Sequence, residues 1–263
     1  MLHKVQVKLI SIVILFITAM PISFSALIVN PSLEIKHSVF VQPILVSDDD
    51  GSNTATFFGG ASSQSVIKGY VDDIWAQAGI DVDFLDTHQW NNSIANSGTS
   101  LPRLASDLEW IIENGERANV TNPNSNVINM FFVNVAAGFS LLSENTAAGL
   151  AFVEGNGISQ FVGRNLLSFP AGQEAIATVV AHEIGHNLGL FHTNTFDFSE
   201  GSKNLMWSGG RTGQLLNSSQ ITIALESRFS TPLTSVPIPA AVWLFGSALL
   251  AMFGYKHQLK TSL

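Results

Sequence analysis

His182-Glu183-Ile184-Gly185-His186-Asn187-Leu188-Gly189-Leu190-Phe191-His192 brings three imidazoles and one carboxylate into a short span of chain. Its first half lies in an apolar run, Ala175 to Leu190, that has helical spacing and no proline. His182 and His186 stand there at i and i+4, on one face of a helix. Zinc takes imidazole nitrogen at about 2.0 to 2.1 Å, and a zinc site that does chemistry has three protein ligands and one open position for water. The helix face supplies two of the three. Glu183 turns toward the open side of such a metal, where it acts on water as a base rather than as a ligand. His192 is six residues past His186, and a continuing helix would rotate it by about 600°, off the shared face. The chain must therefore turn between them. Gly189 stands where a left-handed residue ends a helix at low steric cost.

The pattern HExxHxxGxxH resembles the extended zinc signature of the metzincin metallopeptidases. Asn204-Leu205-Met206-Trp207-Ser208 looks like the methionine turn of that family, with Met206 as a soft apolar floor beneath the histidines. The resemblance implies an α+β fold: a metzincin-like zincin domain with a twisted mixed β-sheet, an active-site helix and a smaller loop-rich C-terminal subdomain. It also implies one catalytic Zn2+ on His182, His186 and His192. Glu183 would then be the general base that takes the proton of a zinc-activated water and passes it to the leaving amine, hydrolysing a peptide bond without a covalent intermediate. Some metzincins add a tyrosine ligand just past the methionine. Here Trp207 and Ser208 follow Met206, and the chain's two tyrosines are Tyr70 and Tyr255.

The resemblance extends over most of the exported part, from about Leu33 to Phe229. Gln64 to Gly79 reads as an amphipathic helix with Val66, Ile67, Tyr70, Val71, Ile74 and Trp75 apolar. Ile80 to Leu85 alternates like a half-buried strand, Leu104 to Ala118 is a second helix, and Val127 to Val135 is a continuous apolar strand. Gly149 to Glu154 resembles the edge strand that peptide substrates join in this family; an ordinary edge strand is the plainer reading. Asn217-Ser218-Ser219-Gln220 is a capping pattern that opens a last helix through about Ser227. The stretch from Ala26 to about Asp50 reads either as a removable pro-segment or as the first strand of the domain.

The two ends of the chain speak to location. Lys4 and Lys8 precede an apolar stretch, Leu9 to Met20, followed by Pro21 and Ser23-Phe24-Ser25. Together they read as a signal peptide over residues 1–25, to be cut by signal peptidase. At the other end Val236-Pro237-Ile238-Pro239-Ala240 leads into an apolar run to Gly254, then Lys256, His257 and Lys260. This resembles the PEP-CTERM class of bacterial sorting signals with a VPLPA-type box, which implies an exosortase-like processing enzyme. Residues 26–229 then form the peptidase domain, 230–239 a linker carrying the proline box, and 240–263 a transmembrane segment with a basic tail. The tail stays cytoplasmic by the positive-inside rule. The catalytic domain is expected outside the cytoplasm, anchored to the envelope or released to the surface or matrix.

Composition agrees with an exported enzyme. The chain has 263 residues, a net charge of −8 and only 12% charged residues, with no basic stripe for nucleic acid. It has no cysteine, so neither a disulfide framework nor a cysteine-based latency device is available. Asp48-Asp49-Asp50-Gly51-Ser52-Asn53 groups oxygen ligands near a glycine, as a structural calcium loop does, but lacks the terminal glutamate of an EF-hand and reads as a solvated turn. Asp197 and Glu200 read as loop carboxylates, with a place in the cleft or on calcium as the alternative. His37 and His88 lack partner spacing. Three functions are compatible with these residues: a zinc metalloendopeptidase acting on proteins or peptides, a zinc hydrolase acting on cell-wall amides, and an inactive surface or matrix binding protein on a zincin fold. Intact ligands and base favour the first.

Overall fold

The computed structural model describes residues 32–97, 105–134, 149–161, 172–193, 201–208 and 213–233. They form an α+β fold around one mixed sheet in the order β2-β1-β4-β6-β5. β1 (His37–Ser47) is its central strand. β2 (Ile80–Phe84) runs parallel to the first half of β1, β3 (His88–Asn91) to its second half, and β4 (Ile128–Val133) along its opposite edge. β6 (Ile158–Phe161) is parallel to β4, and β5 (Gly149–Ala151), antiparallel to β6, ends the sheet among the described residues. β7 (Thr231–Pro232) pairs with His37 and Ser38 at the start of β1. Residues 37–47 are thus a strand of the domain, and residues 231–232 belong to the sheet rather than to the linker expected from 230.

The sheet is covered on both faces. Ile128, Met130 and Phe132 of β4 point into a core shared with helices α1 (Ala61–Trp75), α4 (Gly172–Asn187) and α5 (Ser218–Glu226). Phe131 and Val133 face the other way, toward Ile111 on α3 (Ala105–Arg117) and Ala95 on α2 (Ser93–Ser97). A strand buried on both faces is apolar along its length rather than alternating, and 128–133 follows this except at Asn129, whose buried side chain accepts the Asn122 N–H and donates to Asn156 Oδ1. α1 buries Ile67, Val71, Ile74 and Trp75. Val66 and Tyr70, expected on the same face, are exposed at 39% and 38%. The helix then tightens into a 3₁₀ turn, Ala76–Ala78, and stops at Gly79 with φ +68. A Cβ there would sit 2.8 Å from the Glu34 carbonyl oxygen, so glycine is required sterically as well as conformationally.

The signal-peptide residues and the C-terminal apolar run lie outside the described residues. Among the described residues no helix is long and apolar enough to cross a membrane.

Candidate metal centre and active site

α4 supplies the first part of the site. It is buried along most of its length and carries His182 and His186 one turn apart, with ring centroids 4.8 Å from each other. The helix ends in a double hydrogen bond: Gly189 N–H donates to His186 O and Leu190 N–H to Gly185 O, both at 2.9 Å. This is the Schellman arrangement, and it needs a left-handed residue at Gly189, whose φ is +99. The reversal returns His192 to the helix. Its Nε2 lies 3.1 Å from Nε2 of His182 and 3.1 Å from Nε2 of His186.

The outward ring nitrogens explain how these rings are oriented. His182 Nδ1 lies 2.7 Å from Leu205 O, and His186 Nδ1 lies 2.7 Å from Leu190 O. A carbonyl only accepts, so both protons belong on Nδ1 and both Nε2 lone pairs point inward. Such converging lone pairs repel one another unless a cation lies among them. Two imidazole nitrogens on one tetrahedral zinc stand about 3.3 Å apart, from Zn–N bonds of about 2.0 to 2.1 Å. The trio therefore fits zinc in donor type, spacing and outer hydrogen bonding. It is the one group of three or more such side chains close enough to share a metal among the described residues.

Electrostatics point the same way. Burial, with neighbouring His186 adding to it, pushes His182 down to about 3 against the Leu205 carbonyl. Burial takes His186 down to about 4 and lowers His192 as well. The three imidazoles are thus neutral and ready to bind metal at ordinary pH. Burial also raises Glu183, 7% exposed, to about 8.

Met206 is fully buried. Its sulfur lies 2.6 Å from where a Cβ on Gly185 would stand, so the missing side chain at Gly185 lets Met206 pack against α4. The same turn offers Leu205 O to His182 and Met206 O to the N–H of Thr193, next to His192.

These observations stand with one sequence comparison. Residues 69–193, which include Glu183 and all three histidines, match the reprolysin-like M12B metallopeptidase family. The chain is a zinc-dependent metallopeptidase. Among solved structures, the peptidase is similar to archaemetzincin from Archaeoglobus fulgidus, at 16% identity over 71% of this chain and 99% of that one, with a TM-score of 0.40. Archaemetzincin from Methanopyrus kandleri is 15% identical over 72% of this chain and 88% of that one, with a TM-score of 0.35. Metalloproteinase-II from Bacteroides fragilis is 17% identical over 75% and 58%, with a TM-score of 0.42. No curated protein matches the chain.

The fold also brings to the peptidase site residues that sequence reading passed over. A Cβ on Gly149, in β5, would lie 2.6 Å from Cγ of Glu183, so this glycine leaves room for the carboxylate. Gly185 had a visible signal, since glycine inside a helix costs about 1 kcal/mol relative to alanine and asks for a packing reason. Gly149 had none beyond its place in an edge strand. The other candidates fall away from the centre. His88 Nδ1 meets Val120 O in β3. In the Asp48 loop the carboxylates accept from N–H groups: Asp48 from the Asn53 and Asn96 amides, Asp49 from Ser93 and Asp50 from Ser52. Such bonds build a turn, not a calcium shell. Asp197 and Glu200 lie outside the described residues.

Proposed function

We propose that this zinc metallopeptidase is an endopeptidase acting on extended protein or peptide chains, with His182, His186 and His192 as the zinc ligands and Glu183 as general base. The observation that carries the reading is the contact between Glu183 and Gly149. The candidate base lies directly against β5, the strand that ends the sheet. A sheet edge holds an extended peptide by its main chain at any point along its length, which suits cleavage within a chain. Zinc, when bound, supplies Lewis acidity toward water and a carbonyl oxygen, and a positive charge that favours the ionised form of Glu183. Glu183 takes the proton of the attacking water and hands it to the departing amine. Leu205 O and Leu190 O hold His182 and His186 in the tautomer that keeps Nε2 free, and Met206 closes the site from below. The resemblance of residues 1–25 to a signal peptide and of 236–263 to a sorting signal supports a domain that works outside the cytoplasm, anchored to the envelope or released to the surface or matrix.

The purified protein should carry one zinc per chain and cleave casein. Glu183→Ala should keep the zinc and lose about 10²- to 10⁴-fold in kcat, the usual contribution of a general base. Undiminished activity in that variant would remove Glu183 from the mechanism. Zinc with no casein cleavage, but release of products from purified cell wall, would move the assignment to cell-wall amides.

A further inference from the structure

The turn at Met206 is tied to α5 by a buried pair of amides. Asn204 and Gln220, 0% and 6% exposed, bond to each other twice. Asn204 Nδ2 donates to Gln220 Oε1 at 2.9 Å, and Gln220 Nε2 donates to Asn204 Oδ1 at 3.0 Å. Asn204 Oδ1 also accepts the N–H of Met206 at 2.8 Å. Gln220 is at the same time the third residue of α5, whose N-cap is Asn217: Gln220 N–H donates to Asn217 Oδ1, and Asn217 N–H donates to Gln220 Oε1. Between Asn204 and Met206 lies Leu205, whose carbonyl holds the ring of His182.

We propose that Asn204 and Gln220 are positioning residues for the metal centre: their paired amides fix the turn that aims the Leu205 carbonyl at His182, so α5 sets the geometry of a ligand it does not touch. This rests on the zinc reading above. Fully satisfied buried amide pairs hold one arrangement because any other leaves donors unpaired in low dielectric. Groups that orient a ligand through its outer nitrogen typically change metal affinity 10- to 100-fold.

Two variants in α5 separate this role from helix stability. Gln220→Ala and Asn217→Ala both break the capping box, and only the first breaks the amide pair. Zinc affinity of the full chain, measured by chelator competition, should fall about 10-fold in Gln220→Ala and stay at the wild-type value in Asn217→Ala, while both lose thermal stability. The visible spectrum of the cobalt(II)-substituted protein, which reports ligand geometry, should shift only in Gln220→Ala. Asn204→Ser, which keeps an oxygen for Met206 N–H but loses the pair, should follow Gln220→Ala in both readouts. Equal zinc affinity and equal cobalt spectra in all three variants would overturn the proposal. A wild-type chain that binds no zinc would instead overturn the metal assignment on which it depends.

Discussion

Glu183 works in a space defined by what Gly149 lacks. The missing Cβ would lie 2.6 Å from Cγ and 3.0 Å from Cδ and Oε1 of the carboxylate, too close for Glu183 to keep its position. Gly149 is not among the residues with positive φ, so alanine there meets no backbone penalty and its effect is purely one of contact. Gly149→Ala should lower kcat at least 10-fold and leave zinc content at the wild-type value, because the displaced group is the proposed base and not one of the proposed ligands. In a Glu183→Ala background the same substitution should leave the melting temperature unchanged. A loss of stability as large as in the wild-type background would mean that Gly149 serves the strand and not the base. The letters at 182, 183, 186 and 192 were legible because their spacing is local and follows from helix geometry. Gly149 was not, since its contact with Glu183 joins two elements far apart in sequence, and only the fold brings them together.

Elements show the same division. α4 could be read along its apolar run and at its stop, because both the run and the terminal glycine act within the helix, while its start at Gly172 lies three residues before the run begins at Ala175. Gly189→Ala tests the stop. Alanine at φ +99 would be strained, and its Cβ would meet Ile223 Cγ2 at 3.2 Å. The substitution should cost roughly 1 to 2 kcal/mol in denaturant unfolding, and it should weaken zinc binding because the reversal delivers His192. Unchanged stability would show that the two closing hydrogen bonds survive without the left-handed residue. β1 falls in the stretch that reads either as a removable pro-segment or as a first strand, and Gln42-Pro43 stands in its middle although proline is normally kept out of central strands. The sheet resolves this by a change of neighbour. β2 pairs as far as Val41 and β3 begins at Ile44, so residues 42–43 face no ladder on that side. Gln42 Nε2 fills the gap, donating to the carbonyls of Pro43 and Asp86. No local pattern announces a strand that shares one edge between two partners.

At the scale of the whole molecule, the acidic balance of the chain has a local focus where α1 meets β2. Asp72 on α1 accepts the N–H of Val82 at 3.2 Å, and Asp81 and Asp83 flank that residue on β2. Burial, and after it the charges of Asp81, Asp83 and Asp73 against the Val82 hydrogen bond, raises Asp72 to about 6 from an ordinary 3.8. Between these two values the folded protein keeps a proton that the unfolded chain has lost. Protons bound are then more numerous in the native state, and the slope of unfolding free energy with pH is negative. Asp72 therefore costs nothing below about pH 4, costs increasingly as pH rises toward 6, and reaches a constant penalty above it. The group is half-buried, so solvent screening reduces the penalty to about 1 kcal/mol. Asp72→Asn keeps an oxygen for Val82 N–H and removes the charge. It should stabilise the protein by about 1 kcal/mol at pH 7 and leave it unchanged near pH 3.5, when urea unfolding of variant and wild type is compared at each pH. Protonation of the zinc histidines at low pH affects both proteins alike and cancels in the difference, since Asp72 lies outside the ligand set. A variant less stable than wild type at pH 7 would mean that the ionised carboxylate contributes more through Val82 than it loses to burial and to its three acidic neighbours.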